Sequence, residues 1–182
     1  MDLRQSARSA DYQARLEAFI AAHVEPVAET PDPDRRIVEG LKAEAQAEGL
    51  WNLNVRDDHY GPGLSSLEYA PIAEVLGTSR LAQEATNTDA PSSINGDALI
   101  RYGSAEQKAR WLEPQLAGQI RSAFAMTEPD VASSDASNMA MTARRDGDGW
   151  VLDGAKWWIS GVLHPNCAYL MTVANTVGEE GS

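Results

Sequence analysis

A chain of 182 residues with 43% hydrophobic side chains has room for one large or two small domains and is too apolar to be disordered. Its formal net charge of −12 argues against a nucleic-acid partner, because phosphate binding is driven by Lys and Arg, and it disfavours anionic membranes. No run approaches the roughly 18 apolar residues of a membrane span, the N-terminal stretch lacks the apolar centre of a signal peptide, and one cysteine, Cys167, rules out an internal disulfide and suits a reducing cytoplasm.

Tyr12, Leu16, Phe19, Ile20 and Val24 fall at helical spacing, and Pro26 closes that segment. Pro33-Asp34 opens a second predicted helix carrying Ile37, Leu41 and Ala45, with Gly49 at a left-handed C-cap. After the turn-rich "RDDHYGPGLS", Ser65 and Glu68 stand at capping-box spacing. They predict a helix with Tyr69, Ile72, Val75 and Leu76 that ends at Gly77 and takes Pro71 in its first turns. "INGDALIRYG" reads as helix up to Gly103, and Ser104 with Gln107 makes a second capping box.

The pattern changes near Arg121. "RSAFAMT", "MAMTARR", "WVLDG", "AKWWISG" and "CAYLMTVAN" are short apolar or alternating runs separated by turn signals, "DGDG" the strongest of them. That predicts a β domain built from hairpins. The expected fold class is α+β: an all-α domain over residues 1–121, then part of a β-barrel or β-sandwich over residues 122–182. Helices followed by strands, without alternation, exclude a Rossmann arrangement. The β part is too short to close a barrel and finishes on "VGEEGS", so the chain is expected to stop in mid-domain.

No G-x-G-x-x-G, phosphate-binding P-loop or G-x-S-x-G occurs. His23, His59 and His164 are far apart in unlike contexts, so no metal site is expected. His23 reads as a packed or partly exposed helix residue, the other two as loop residues, and Cys167 as a small apolar side chain. The chemistry concentrates in "FAMTEPDVASSDA" (124–136) and "GAKWWISG" (154–161). A strand that ends in Thr127 and turns through Pro129 offers amides and hydroxyls to a phosphate or a heterocycle edge without needing positive charge. Trp158 and Ser160 share one face of the next predicted strand by period two. An indole could there lie along a flat ring while the hydroxyl meets its edge. The residues alone suggest a planar, phosphate-bearing cofactor. The plainer reading is a hydrophilic turn, with Trp157 and Trp158 as ordinary core and surface aromatics.

From about Leu41 onward the chain resembles the acyl-CoA dehydrogenase family, flavoenzymes that desaturate acyl-CoA thioesters. The residues that carry the likeness are "LWNLNV", "GPGLSSLEYAPIAEVLG", "RYGSAEQKARWLEPQLAGQIRSAFAMTEPDVASSDA" and "DGAKWWISG". The family's T-E-P…S-D flavin signature appears as Thr127-Glu128-Pro129 and Ser133-Ser134-Asp135. Its long "PDVASSD" spacing is similar to the branch in which some members are fused to a phosphotransferase-like domain.

The resemblance implies FAD as cofactor. Phe124, Met126 and Thr127 would line the flavin, with Thr127 hydrogen-bonding its edge. Trp158 would stack on the ring, Ser160 would reach towards N5, and Trp157 would face the domain core. Ser133 or Ser134 would contact the FAD pyrophosphate or the CoA ester. The family's spacing is one residue shorter, which leaves both serines in play.

Glu128, Asp130 and Asp135 are rejected as catalytic base, because abstraction of a proton α to a thioester needs a carboxylate across the substrate from the flavin. Glu128 is assigned to turn geometry and hydrogen bonding. The implied base is a Glu or Asp of a C-terminal helical bundle, so no catalytic residue is expected within these 182 residues. The chain alone is expected to be inactive and to need that C-terminal half.

The implied reaction is α,β-dehydrogenation of an acyl-CoA, as in fatty-acid β-oxidation, with hydride passing to flavin N5. An electron-transfer flavoprotein would be the acceptor and the enzyme a homo-oligomer, dimer or tetramer. Two alternatives stand beside it. One is an acyl-CoA oxidase or flavin monooxygenase of the same architecture, marked by rapid reoxidation with oxygen. The other is a non-catalytic subunit of a heteromer, marked by failure to bind flavin. The small polar residues of "TNTDAPSSINGD" permit a long or hydroxylated acyl group.

Overall fold

The computed structural model describes residues 4–32 and 34–178. The chain divides into a helical unit, Met1–Gln119, and a strand unit, Ile120–Ser182.

In the helical unit, α1 (Ala7–Phe19) starts where the Ser6 hydroxyl accepts the Ser9 N–H at 3.1 Å. It runs on through a π-helical turn (Ile20–Val24) into a 3₁₀ turn that contains Pro26. α2 (Arg36–Ala47) begins later than "PD" suggests. Pro33 lies outside the described residues, and the side chain that caps the helix is Asp32, whose carboxylate accepts the Val38 N–H at 2.9 Å. Gly49 follows at φ +66°, as a left-handed C-cap requires. α3 (Ser66–Leu76) has the full capping box: Glu68 N–H donates to Ser65 Oγ at 3.3 Å and Ser65 N–H to the Glu68 carboxylate at 3.0 Å. Then come α4 (Arg80–Ala85) and α5 (Ala90–Tyr102). Finally α6 (Ala105–Gln107), with its own capping box, passes through a π-helical turn into α7 (Glu113–Leu116).

Leu16, Phe19, Val24, Leu50, Leu53 and Ile72 are wholly buried at the centre of this unit. Each contributes roughly 1.5–3 kcal/mol of hydrophobic stabilisation. Beside them lies a polar inlay. Asn87 Nδ2 donates to Asn52 Oδ1 at 2.7 Å and to the Gln115 carbonyl at 3.0 Å. Both asparagines hold φ +55°, a conformation that Asn tolerates better than most residues. His23 stacks on Phe19 with ring centroids 5.2 Å apart, and its Nδ1 lies 2.9 Å from Glu44.

The strand unit corrects two expectations. Among the described residues, only β2 (Thr142–Asp146) and β3 (Gly149–Asp153) form a hairpin, across the "DGDG" turn. β1 (Arg121–Ala125) instead pairs in parallel with β4 (Cys167–Thr172), and β5 (Asn175–Val177) in parallel with β2. The result is a two-stranded sheet and a three-stranded one in the order β3-β2-β5. Parallel partners are joined by long connections, so no local turn signal announces them.

The second correction concerns "AKWWISG". Residues 155–159 form neither strand nor helix, and residues 160–163 form a turn. Gly154 and Gly161, at φ +145° and +81°, bend the chain in and out, and Trp158 sits at φ +53°. A residue in that left-handed region breaks period two, so Trp158 and Ser160 do not share a strand face. A Cβ at Gly154 would lie 2.8 Å from Met141 Cα, so this close approach admits only glycine.

Candidate functional site

β1 delivers the first half of the site. Phe124 and Met126 are half-buried and Thr127 is exposed at the strand's end. The chain then turns so that Glu128 points inward, 4% exposed. Its carboxylate accepts the Ala140 N–H at 2.6 Å, the Met141 N–H at 2.9 Å and the Lys156 ammonium at 2.8 Å. The Lys156 hydrogen bond foremost, and then the two amides, hold its pKa at about 2 against the upward push of burial. Ser133 is also buried, and its Oγ accepts the Glu128 N–H at 2.8 Å, closing the loop on itself. Ser134 is exposed. Asp135 caps the short turn Ala136–Asn138 by accepting the Ser137 N–H at 2.9 Å and hydroxyl at 2.7 Å, contacts that lower its pKa.

The second half is the irregular 155–159 segment. Trp157 N–H donates to the Thr127 carbonyl at 3.1 Å. Lys156 Nζ donates to the Met126 carbonyl at 2.8 Å and lies 3.5 Å from Met139 Sδ. Trp157, Trp158 and Ile159 line an open, mostly apolar groove of about 410 Å³, with Ala125, Met141, Leu152, Lys156, Val162, Leu170 and Thr172 completing its wall. Trp158 is 79% exposed and meets Trp157 edge to face at 5.7 Å. Trp157 is itself 45% exposed, so it does not face the core; its indole is part of the groove wall.

Of the residues singled out from sequence, Trp158 therefore lines the groove and Thr127 adjoins it through Trp157. Phe124, Met126, Ser133, Ser134 and Ser160 are not on that wall. Phe124 and Met126 are half-buried beside it in sequence, Ser133 is locked in the loop, and Ser134 and Ser160 are exposed. The residue that sequence reasoning missed is Lys156. The signal was present: an ammonium within an apolar run must find a partner when buried, and Glu128, assigned to turn geometry and hydrogen bonding, was a carboxylate of the other motif with no named partner.

Residues 6–119 match the family model for the acyl-CoA dehydrogenase N-terminal domain, and residues 123–182 match the one for its middle domain. The chain belongs to the acyl-CoA dehydrogenase family. It is 44% identical to "Probable acyl-CoA dehydrogenase FadE2" of Mycobacterium tuberculosis, over 97% of this chain and 46% of that protein. A solved acyl-CoA dehydrogenase homologue from Mycobacterium abscessus superposes with a TM-score of 0.87 at 46% identity, covering 95% of this chain and 47% of that one. The acyl-CoA dehydrogenase of Bacillus anthracis, solved in complex with FAD, gives a TM-score of 0.70 at 30% identity, covering 96% and 30%. This chain spans less than half the length of each of these acyl-CoA dehydrogenases. Among the described residues no helix is long and apolar enough to cross a membrane.

Proposed function

We propose that this chain forms the flavin side of an acyl-CoA dehydrogenase site. The observation that carries the reading is Trp158, a bulky aromatic held in a left-handed backbone conformation with its indole 79% exposed at an apolar groove. Such strain persists where the surroundings impose it and clusters at ligand sites. A flat apolar wall beside a strand end rich in polar groups fits FAD, whose ring is planar and whose diphosphate needs hydrogen bonds.

In this reading Trp158 is the stacking surface, Thr127 and the exposed Ser160 meet the polar edge of the ring from the rim, and Phe124 and Met126, off the groove wall, support the strand end behind it. Ser134 takes the pyrophosphate or CoA contact, because it is exposed whereas Ser133 is buried within the loop. FAD, when bound, supplies the two-electron acceptor for the acyl Cα–Cβ bond. Glu128 does not act as base: its carboxylate is buried, ion-paired and bonded to two amides. The proton-abstracting carboxylate belongs to residues outside this chain. The same reading takes an acyl-CoA thioester as substrate, an electron-transfer flavoprotein as redox partner, and a cytoplasmic homo-oligomer as the working form.

Titration of the purified chain with FAD tests it. Saturable quenching of indole fluorescence is expected, and in Trp158→Ala its amplitude should fall, with Trp157 left to report what FAD still binds. Failure of the unsubstituted chain to saturate at millimolar FAD sinks the reading.

A further inference from the structure

We propose that Lys156 is a positioning residue that clasps the two halves of the site into one unit and fixes the peptide group which presents Thr127 to the cofactor. Its role towards the cofactor rests on the flavin reading above. The side chain of Lys156 is 8% exposed and that of its partner Glu128 is 3% exposed. Burying such a pair is a poor way to gain stability, since desolvation cancels much of the attraction and apolar replacements often do as well.

What the pair supplies is geometry. Consecutive carbonyls, those of Met126 and Thr127, are held by consecutive residues, Lys156 through its ammonium at 2.8 Å and Trp157 through its N–H at 3.1 Å. Thr127 is thus gripped on both sides by the segment that carries Trp158, and the two cannot shift independently. The Met126–Thr127 peptide is planar and trans, so fixing its carbonyl on the ammonium directs the Thr127 N–H the opposite way. A cation on that carbonyl also polarises the peptide and makes its N–H a stronger donor. Glu128 completes the clasp. Its amide contacts to Ala140 and Met141 anchor the lysine to the chain leading into β2.

The test uses the full chain and the paired variant Lys156→Met with Glu128→Gln, which leaves no lone buried charge. Amide hydrogen exchange without FAD should show Trp157 protection falling at least about tenfold, while the hairpin amides between Ala143 and Leu152 keep theirs. Unchanged protection at Trp157 overturns the clasp. Equal loss in the hairpin also overturns it, because Lys156 would then be a general support of the fold. In the FAD titration, the variant should bind at least about tenfold more weakly, its indole quenching moved to correspondingly higher FAD. Wild-type-like binding and quenching overturn the positioning role. If the unsubstituted chain does not bind FAD, the flavin reading falls and the role towards a cofactor falls with it; the exchange result still decides the clasp.

Discussion

Trp158 combines two costs that a merely structural side chain avoids: a left-handed backbone and an indole left in water. The conformation costs roughly 1–2 kcal/mol for a residue with a Cβ, and glycine at that site is free of it. Trp158→Gly should therefore leave stability in urea unchanged or raise it by up to about 1 kcal/mol, while FAD binding weakens and the quenching amplitude falls. A large loss of stability would mean that the indole packs for structure. Glu128 gives the second residue-scale prediction. Its carboxyl falls from an ordinary 4.5 to about 2, chiefly through Lys156, so folding favours the ionised form. The contribution is complete above pH 4.5, declines as the pH falls towards 2 and is gone below it. Glu128→Gln should lower the urea midpoint at pH 6, and the gap from the unsubstituted chain should close as the pH is lowered from 4.5 to 2. A gap that stays constant across that window would show that Glu128 acts by shape and not by charge.

At the scale of elements, the readable features were those whose cause is local. Ser65 with Glu68 and Ser104 with Gln107 announce helix starts because the capping bonds close within three residues. Gly49 announces a helix end, and "DGDG" a hairpin, because each needs only its own backbone. Ser65→Ala should accordingly cost about 1 kcal/mol in chemical unfolding, and a change within error would contradict the cap. The parallel pairs β1–β4 and β2–β5 were not readable, since their partners lie dozens of residues apart and no single tight turn joins them. Nor was the irregular path of 155–159. Its apolar run mimics a strand, but its conformation is set by Gly154 passing close to Met141, and by Lys156 and Trp157 bonding back to the end of β1. Half of the candidate site was therefore visible as motif, and the link between the motifs was not.

At the scale of the whole molecule, the two units bury unlike materials. The helical unit encloses Leu16, Phe19, Leu50, Leu53, Leu64 and Ile72, whereas the buried apolar residues of the strand unit, among those described, are Ala123, Ala125, Met139, Met141 and Ala143. The strand unit meanwhile leaves Trp150, Val151, Leu152, Leu163 and Leu170 exposed. Each methylene removed from water contributes about 0.8 kcal/mol, so alanine methyls and two methionines hold the strands together far less firmly than large side chains hold the helices. Local stability follows buried apolar contact, and regions poor in it open first. In the intact chain, hydrogen exchange followed through a urea series should show the amides of β2 and β3 opening at lower urea than those of α1 and α3. Near-UV circular dichroism from the tryptophans at 150, 157 and 158 should fade before far-UV helical signal does. Convergence of all amides on one midpoint would instead make the chain a single cooperative body, and would mean that the Glu128–Lys156 clasp and its amide contacts make up what the strand core lacks.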